Sequence, residues 1–129
     1  MKRRSYLKAM LAAGAAGTAA LAQAQHPIVL DVDLSVDPAR EQEMLNHFHN
    51  TFKPAAMQFP GYIDVKICKL HSVLQGTAPG GVNYRFQLTY QSEELRQKWV
   101  ASDIHKKVWP PIENTLKSKS YTVLLFDSV

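Results

Sequence analysis

Period-two alternation recurs four times along this chain, and a stretch of helical period separates the first run from the second and the third from the fourth. His26 to Val36 sets Ile28, Leu30, Val32 and Leu34 against Val29, Asp31, Asp33 and Ser35. Such alternation marks a strand with one buried face, because successive side chains point to opposite sides of a pleated backbone. Tyr62 to Leu74 places Ile63, Val65 and Ile67 on one face and Asp64, Lys66 and Cys68 on the other. Asn83 to Gln91 sets Tyr84, Phe86, Leu88 and Tyr90 against Arg85, Gln87 and Thr89, and Lys119 to Ser128 sets Tyr121, Val123 and Leu125 against Thr122, Leu124 and Phe126.

The intervening stretches carry helix-start chemistry. Asp37 offers a side-chain acceptor for free amides, and Pro38 follows at the position where a missing N–H costs nothing. Leu45, Phe48 and Phe52 then recur on one helical face until Pro60 and Gly61. Ser92 precedes Glu93 and Glu94, a cap followed by acids that suit the positive end of a helix dipole. That second helix is predicted to run through Trp99, Val100, Ile104 and Val108, with Pro110 and Pro111 interrupting it. Gln75 to Gly81 is a glycine-rich loop joining two strands.

The order β, α, β, β, α, β predicts an α+β, ferredoxin-like domain: a four-stranded antiparallel sheet with two helices on one face. Two helices cover one side only, while the first and last strands carry large apolar residues on both. A second copy of the chain is the expected cover, so a homodimer is predicted.

The N-terminus reads separately. Lys2, Arg3, Arg4 and Lys8 precede a charge-free, Ala-rich run from Ala9 to Ala22, the layout of a secretion signal. The paired arginines resemble the twin-arginine signature. Residues 1–24 are therefore expected to be an export signal, cleaved after 22 or 24, and 25–129 a single domain in the periplasm or outside the cell, touching membrane only during export. The chain holds 15 Lys and Arg against 11 Asp and Glu, and removing those four basic residues leaves 11 of each. A neutral domain with no basic stripe gives no footprint for nucleic acid. Cys68 is the sole cysteine, which excludes an internal disulfide, and it is expected to be a small buried apolar residue.

Phe59-Pro60-Gly61-Tyr62, the run Tyr84 to Tyr90 followed by Gln91 to Leu95, and Trp99, Ser102, Asp103 and His105 together resemble the dimeric α/β-barrel superfamily, nearest its antibiotic-biosynthesis-monooxygenase-like group. The likeness covers roughly residues 28–127. It implies a dimeric α/β barrel, a ligand held between helices and sheet, and oxygenase chemistry without a bound cofactor. The haem-degrading branch of that superfamily pairs an Asn on the first strand with a helical Trp and an iron-ligating His ten residues beyond it. Here Asp31 stands near the Asn position, Trp99 matches the Trp, and Trp109 occupies the His position, where an indole cannot ligate iron. His105, one turn earlier, is the substitute ligand on that lesser reading.

His105 is the leading candidate for chemistry, since a histidine among Trp99, Ser102, Asp103 and Trp109 can act as a general base near neutral pH. Asp31 is the second catalytic candidate if its face looks into a cavity. Trp99, Trp109, Arg85 and Tyr84 are the candidate substrate contacts. His47 and His49, two apart on a helix, do not face each other, and no zinc-like spacing occurs, so no metal site is expected from local motifs. Two functions stay open: a small exported monooxygenase-like enzyme acting on an aromatic or enolisable molecule, or a non-catalytic ligand-binding or structural dimer of the same fold.

Overall fold

Asp37 starts the first helical run as its chemistry predicts: in the computed structural model, which describes residues 26–129, its Oδ1 accepts from the Ala39 N–H at 2.9 Å. The expected export signal, residues 1–24, lies outside the described residues. A tight turn at Pro38–Arg40 leads into α1 (Glu41–His47), a wider π-type turn at Phe48–Phe52, and α2 (Lys53–Met57). Pro54 accounts for the widening, because its ring crowds the carbonyl one turn back and it has no N–H to give. The consequence is that Phe48 and Phe52 both turn inward, each 1% exposed.

The strands are β1 (Ile28–Leu34), β2 (Tyr62–Lys69), β3 (Tyr84–Tyr90) and β4 (Thr122–Asp127), in the spatial order β2-β3-β1-β4 with every pairing antiparallel. Ile28, Val32 and Leu34 on β1, Val65 on β2, and Tyr84, Phe86, Leu88 and Tyr90 on β3 are buried beneath the helices, so the predicted faces of β1 and β3 hold. On β2 the register slips between Tyr62 and Asp64. That bulge turns Ile63 outward, 47% exposed, and gives its expected core place to Tyr62. The Tyr62 hydroxyl accepts from the Val65 N–H across the bulge.

Two expectations about architecture are corrected. The helical layer is not two helices but three stretches: residues 38–57, then α3 (Glu93–Ala101), then α4 (Asp103–Val108) continuing through Trp109 into α5 (Pro110–Glu113). Ser102 makes the break. Its backbone is extended, its hydroxyl donates to the Trp99 carbonyl at 2.6 Å, and the same oxygen accepts from the His105 N–H at 3.2 Å. The dimeric α/β barrel is also overturned. The sheet is open, with β2 and β4 as edges, and four strands are too few to curl round and meet. Cys68 is exposed on the side away from the helices, contrary to the buried place expected of it.

After α5 the chain is pinned back to β1. Asp37 N–H donates to the Thr115 carbonyl, Lys117 N–H to the Ser35 carbonyl, and Val36 bridges Leu116. This holds residues 113–121 against the mouth of the helical layer. No helix among the described residues is long and apolar enough to cross a membrane.

Candidate functional site

The Ser102 break decides where His105 goes. Because α4 starts afresh at Asp103, His105 falls in its first turn and sits against Trp99 at the end of α3, ring centroids 5.2 Å apart and nearly perpendicular. One turn on, Trp109 lies almost parallel to the imidazole, centroids 6.3 Å apart. The three rings border a cavity of about 120 Å³ between the helices and the sheet. Leu30 and Val32 of β1, Phe86 and Leu88 of β3 and Val123 of β4 form its floor, with Phe52, Val100 and Tyr121 at its sides.

Burial, then the nearby Arg96 guanidinium, holds the His105 imidazole below its ordinary value, while the Glu113 carboxylate pulls the other way. Arg96 is itself engaged by Glu93 at 2.6 Å. The ring is therefore neutral at pH 7, a state that accepts a proton. Trp109 Nε1–H donates to the Tyr121 hydroxyl at 3.2 Å, and that hydroxyl donates to Glu113 at 2.7 Å. Burial and the bond to Glu113 raise Tyr121, so it stays a phenol and fixes the Trp109 ring. Tyr121 and Glu113 escaped the sequence reading; eight residues apart across a loop, they share no helical or strand period.

The other predicted site residues lie elsewhere. Asp31 points to the helix-free face of the sheet, where it accepts from Gln87 directly opposite at 2.8 Å. Arg85 is on that face too, paired with Asp33 at 2.9 Å. Tyr84 is on the helix side but far along the strand, bonded to Glu41, which Lys69 also contacts. Burial and the Glu41 bond push the Tyr84 phenol up to about 12. Tyr84 and Arg85 border a more open groove of about 450 Å³ under residues 70–82, with neither His105 nor a tryptophan near it. Their polar atoms are already committed to acidic partners, so the smaller cavity is the better chemical site. His47 serves as a tether, its Nε2 bonded to the Val108 carbonyl at 2.8 Å. Among the described residues no three His, Cys, Asp or Glu gather closely enough to hold a metal ion.

The sequence profile of a family described as a domain of unknown function, DUF4286, matches residues 27–108. The chain belongs to that family. Its match spans the sheet through β3 together with α3 and α4, and so includes Trp99 and His105. No curated protein matches the chain in sequence. Among solved structures, a candidate antibiotic biosynthesis monooxygenase from Caulobacter crescentus is similar at 19% identity, covering 82% of this chain and 92% of that one with a TM-score of 0.64. A dimeric ferredoxin-like protein of unknown function from Jannaschia is similar at 12% identity, covering 80% and 98%, also at 0.64. A heme-degrading protein from Mycobacterium tuberculosis, solved heme-free, is similar at 19% identity, covering 81% and 93%, at 0.53. At such identities the likeness is one of fold alone.

Haem does not fit the residues present. Trp109 stands where a ligating histidine is needed, Asp31 is on the opposite side of the sheet from the cavity, and about 120 Å³ is far too little for a macrocycle.

Proposed function

We propose that this protein is a small monooxygenase-like enzyme in which His105 removes a proton from an enolisable or phenolic molecule. The observation that carries the reading is a neutral imidazole bordering an apolar cavity, held between two indoles. His105 takes the acidic C–H or O–H proton, and the electron pair left on the substrate is delivered to dioxygen. For a methylene centre the balance is one carbonyl formed and one water released per dioxygen, with no outside reductant. Leu30, Val32, Phe86 and Leu88 give the cavity an apolar floor, which disfavours the charged imidazolium.

The test is oxygen uptake with a panel of small enolisable ketones and dihydroxybenzenes. His105→Ala is expected to lose about 10²–10⁴-fold in rate, the usual worth of a positioned base. In the wild type the rate should fall as pH drops through a value below the ordinary 6.5 of histidine, since protonation there removes the base. Uptake that survives in His105→Ala would reject His105 as the base, and a wild type that takes up no oxygen with any of the panel would sink the enzyme reading and leave a ligand-binding domain.

The same reading includes a second copy of the chain. Val123, Leu124, Leu125 and Phe126 of β4 are 46–50% exposed, and Leu124 and Phe126 share the helix-free face with Val29 of β1. A run of that size open to water marks an interaction surface, and the similar Jannaschia protein is described as dimeric. Light scattering should give twice the single-chain mass, and the double substitution Leu124→Asp, Phe126→Asp should halve it. A wild type at the single-chain mass rejects the dimer. On this reading the protein works outside the cytoplasm, because Arg3 and Arg4 head a charge-free Ala-rich run.

A further inference from the structure

The residues that border the His105 cavity are buried or half-buried, except Val100 and Val123, which are 39% and 50% exposed. They stand near the end of α3 and on β4, so the cavity opens between that helix and that edge strand. Val123 is opposite Val32 of β1 and therefore on the helix side of the sheet, yet the helices leave it half uncovered. Leu125, two residues on and on the same side, is 46% exposed and sits opposite Leu30, which belongs to the cavity floor. Leu30, Val123 and Leu125 thus make one apolar shelf. It starts inside the cavity and runs out along β4 for about 7 Å, the rise of two strand residues.

The shelf matters because the cavity is small. An apolar cavity of about 150 Å³ is enough for benzene, so about 120 Å³ takes one ring or a head group of that size. Any further part of the molecule must leave by the open side, across Val123. A second copy of the chain suits this surface less well, since lying on Val123 and Leu125 it would shut the cavity. The helix-free face, with Leu124 and Phe126, receives such a copy on the other side of the same strand and leaves the shelf open. The shelf's chemistry selects what lies on it: Val123 and Leu125 are uncharged, and the next residue on that side is Asp127, at the far end, whose carboxylate repels an anionic group. We propose that the molecule taken by the cavity is a phenolic or enolisable head carrying an uncharged hydrocarbon chain, which lies on Val123 and Leu125. About 7 Å of strand matches a chain of about five carbons. This rests on the His105 cavity being the substrate site, and not on His105 being the base.

The experiment is calorimetric titration of the wild type with phenol and its 3- and 4-alkyl derivatives, from methyl to heptyl. Full burial of a methylene is worth about fourfold in affinity, so a chain with one side on the shelf should gain about twofold per carbon. The gain is expected at one site per chain and should level off near pentyl. A carboxylate at the end of the pentyl chain should cancel it. Leu125→Asn should flatten the series, while Leu124→Asn, equally exposed on the other face of the same strand, should leave it unchanged. Phenol binding with a flat alkyl series overturns the proposal and leaves the cavity as the site; if Leu125→Asn then halves the mass by light scattering, a second copy is what covers the shelf. A series that climbs as steeply in Leu125→Asn as in the wild type also overturns it. No binding by any member rejects the cavity as a ligand site and the shelf with it.

Discussion

Phe52→Ala is expected to cost about 3–5 kcal/mol, the range for removing a fully buried aromatic ring. Phe52 is 1% exposed and its ring touches four others: Phe86 at 5.3 Å, Trp99 at 5.9 Å, and Phe48 and Trp109 at 6.0 Å between centroids. It belongs to the π-type turn, so it cannot slide to fill the gap without rewinding the helix around Pro54. Against a typical domain stability of about 5–15 kcal/mol, that is a large share. Denaturant titration should show the midpoint falling with the slope unchanged. Phe52 also borders the His105 cavity, so the void should enlarge that cavity and let the variant admit a larger apolar molecule than the wild type does. A loss below about 1 kcal/mol would mean that the aromatic cluster is not the keystone its contacts imply.

Gly61→Ala should destabilise by about 2–5 kcal/mol, from two separable sources. The backbone at Gly61 has φ of +95°, and an added Cβ would stand 2.7 Å from Leu95 Cδ1 and 2.8 Å from Leu95 Cβ. One cost is the left-handed backbone, about 1–2 kcal/mol for a residue with a Cβ. The other is collision with the first turn of α3, which moves only by disturbing the Gln91 N–H bond to the Gly61 carbonyl at 2.8 Å. Gly76 is the control. It has φ of +80° with nothing within 4 Å of a built Cβ, so Gly76→Ala carries the backbone cost alone. Equal thermal shifts for the two variants would show that the Leu95 contact relaxes freely.

The strands β1 and β3 were legible because each has one face against helices and one without them, and period two is then written directly into residue type. The same logic misplaced Ile63, since a bulge shifts the register by one and nothing in Tyr62-Ile63-Asp64 announces it. Ser102 was unreadable for another reason. Trp99, Val100, Ile104 and Val108 keep a convincing helical period straight across the break, and a serine is as acceptable on a helix surface as at a cap. Pro54, which the single helical face of Leu45, Phe48 and Phe52 passed over, marks the widened turn. In the site, Trp99, His105 and Trp109 could be grouped because they are close in sequence, although the break at Ser102, and not one continuous helix, sets His105 against Trp99. Asp31 and Arg85 could not be placed until the strand register paired them with Gln87 and Asp33 on the far side of the sheet. Cys68 followed the apolar character of its neighbours and so was misjudged. Its true setting is decided by Arg85, which stands opposite it on β3.

The strand order has a meaning in time as well as in space. β1 is the first strand to be synthesised, yet it occupies an interior position, and both of its neighbours come late: Ile28 faces Tyr90 on one side and Asp127 on the other. Until residue 127 has left the ribosome, β1 has one edge with no partner and β4 does not exist. The early β2–β3 pairing offers no place for β1 except beside β3. β1 can pair with β3 once residue 90 is made, whereas its other edge waits for β4, and pairings so distant in sequence form slowly. The sheet is thus completed by its last strand, and until then the β1 edge stands open.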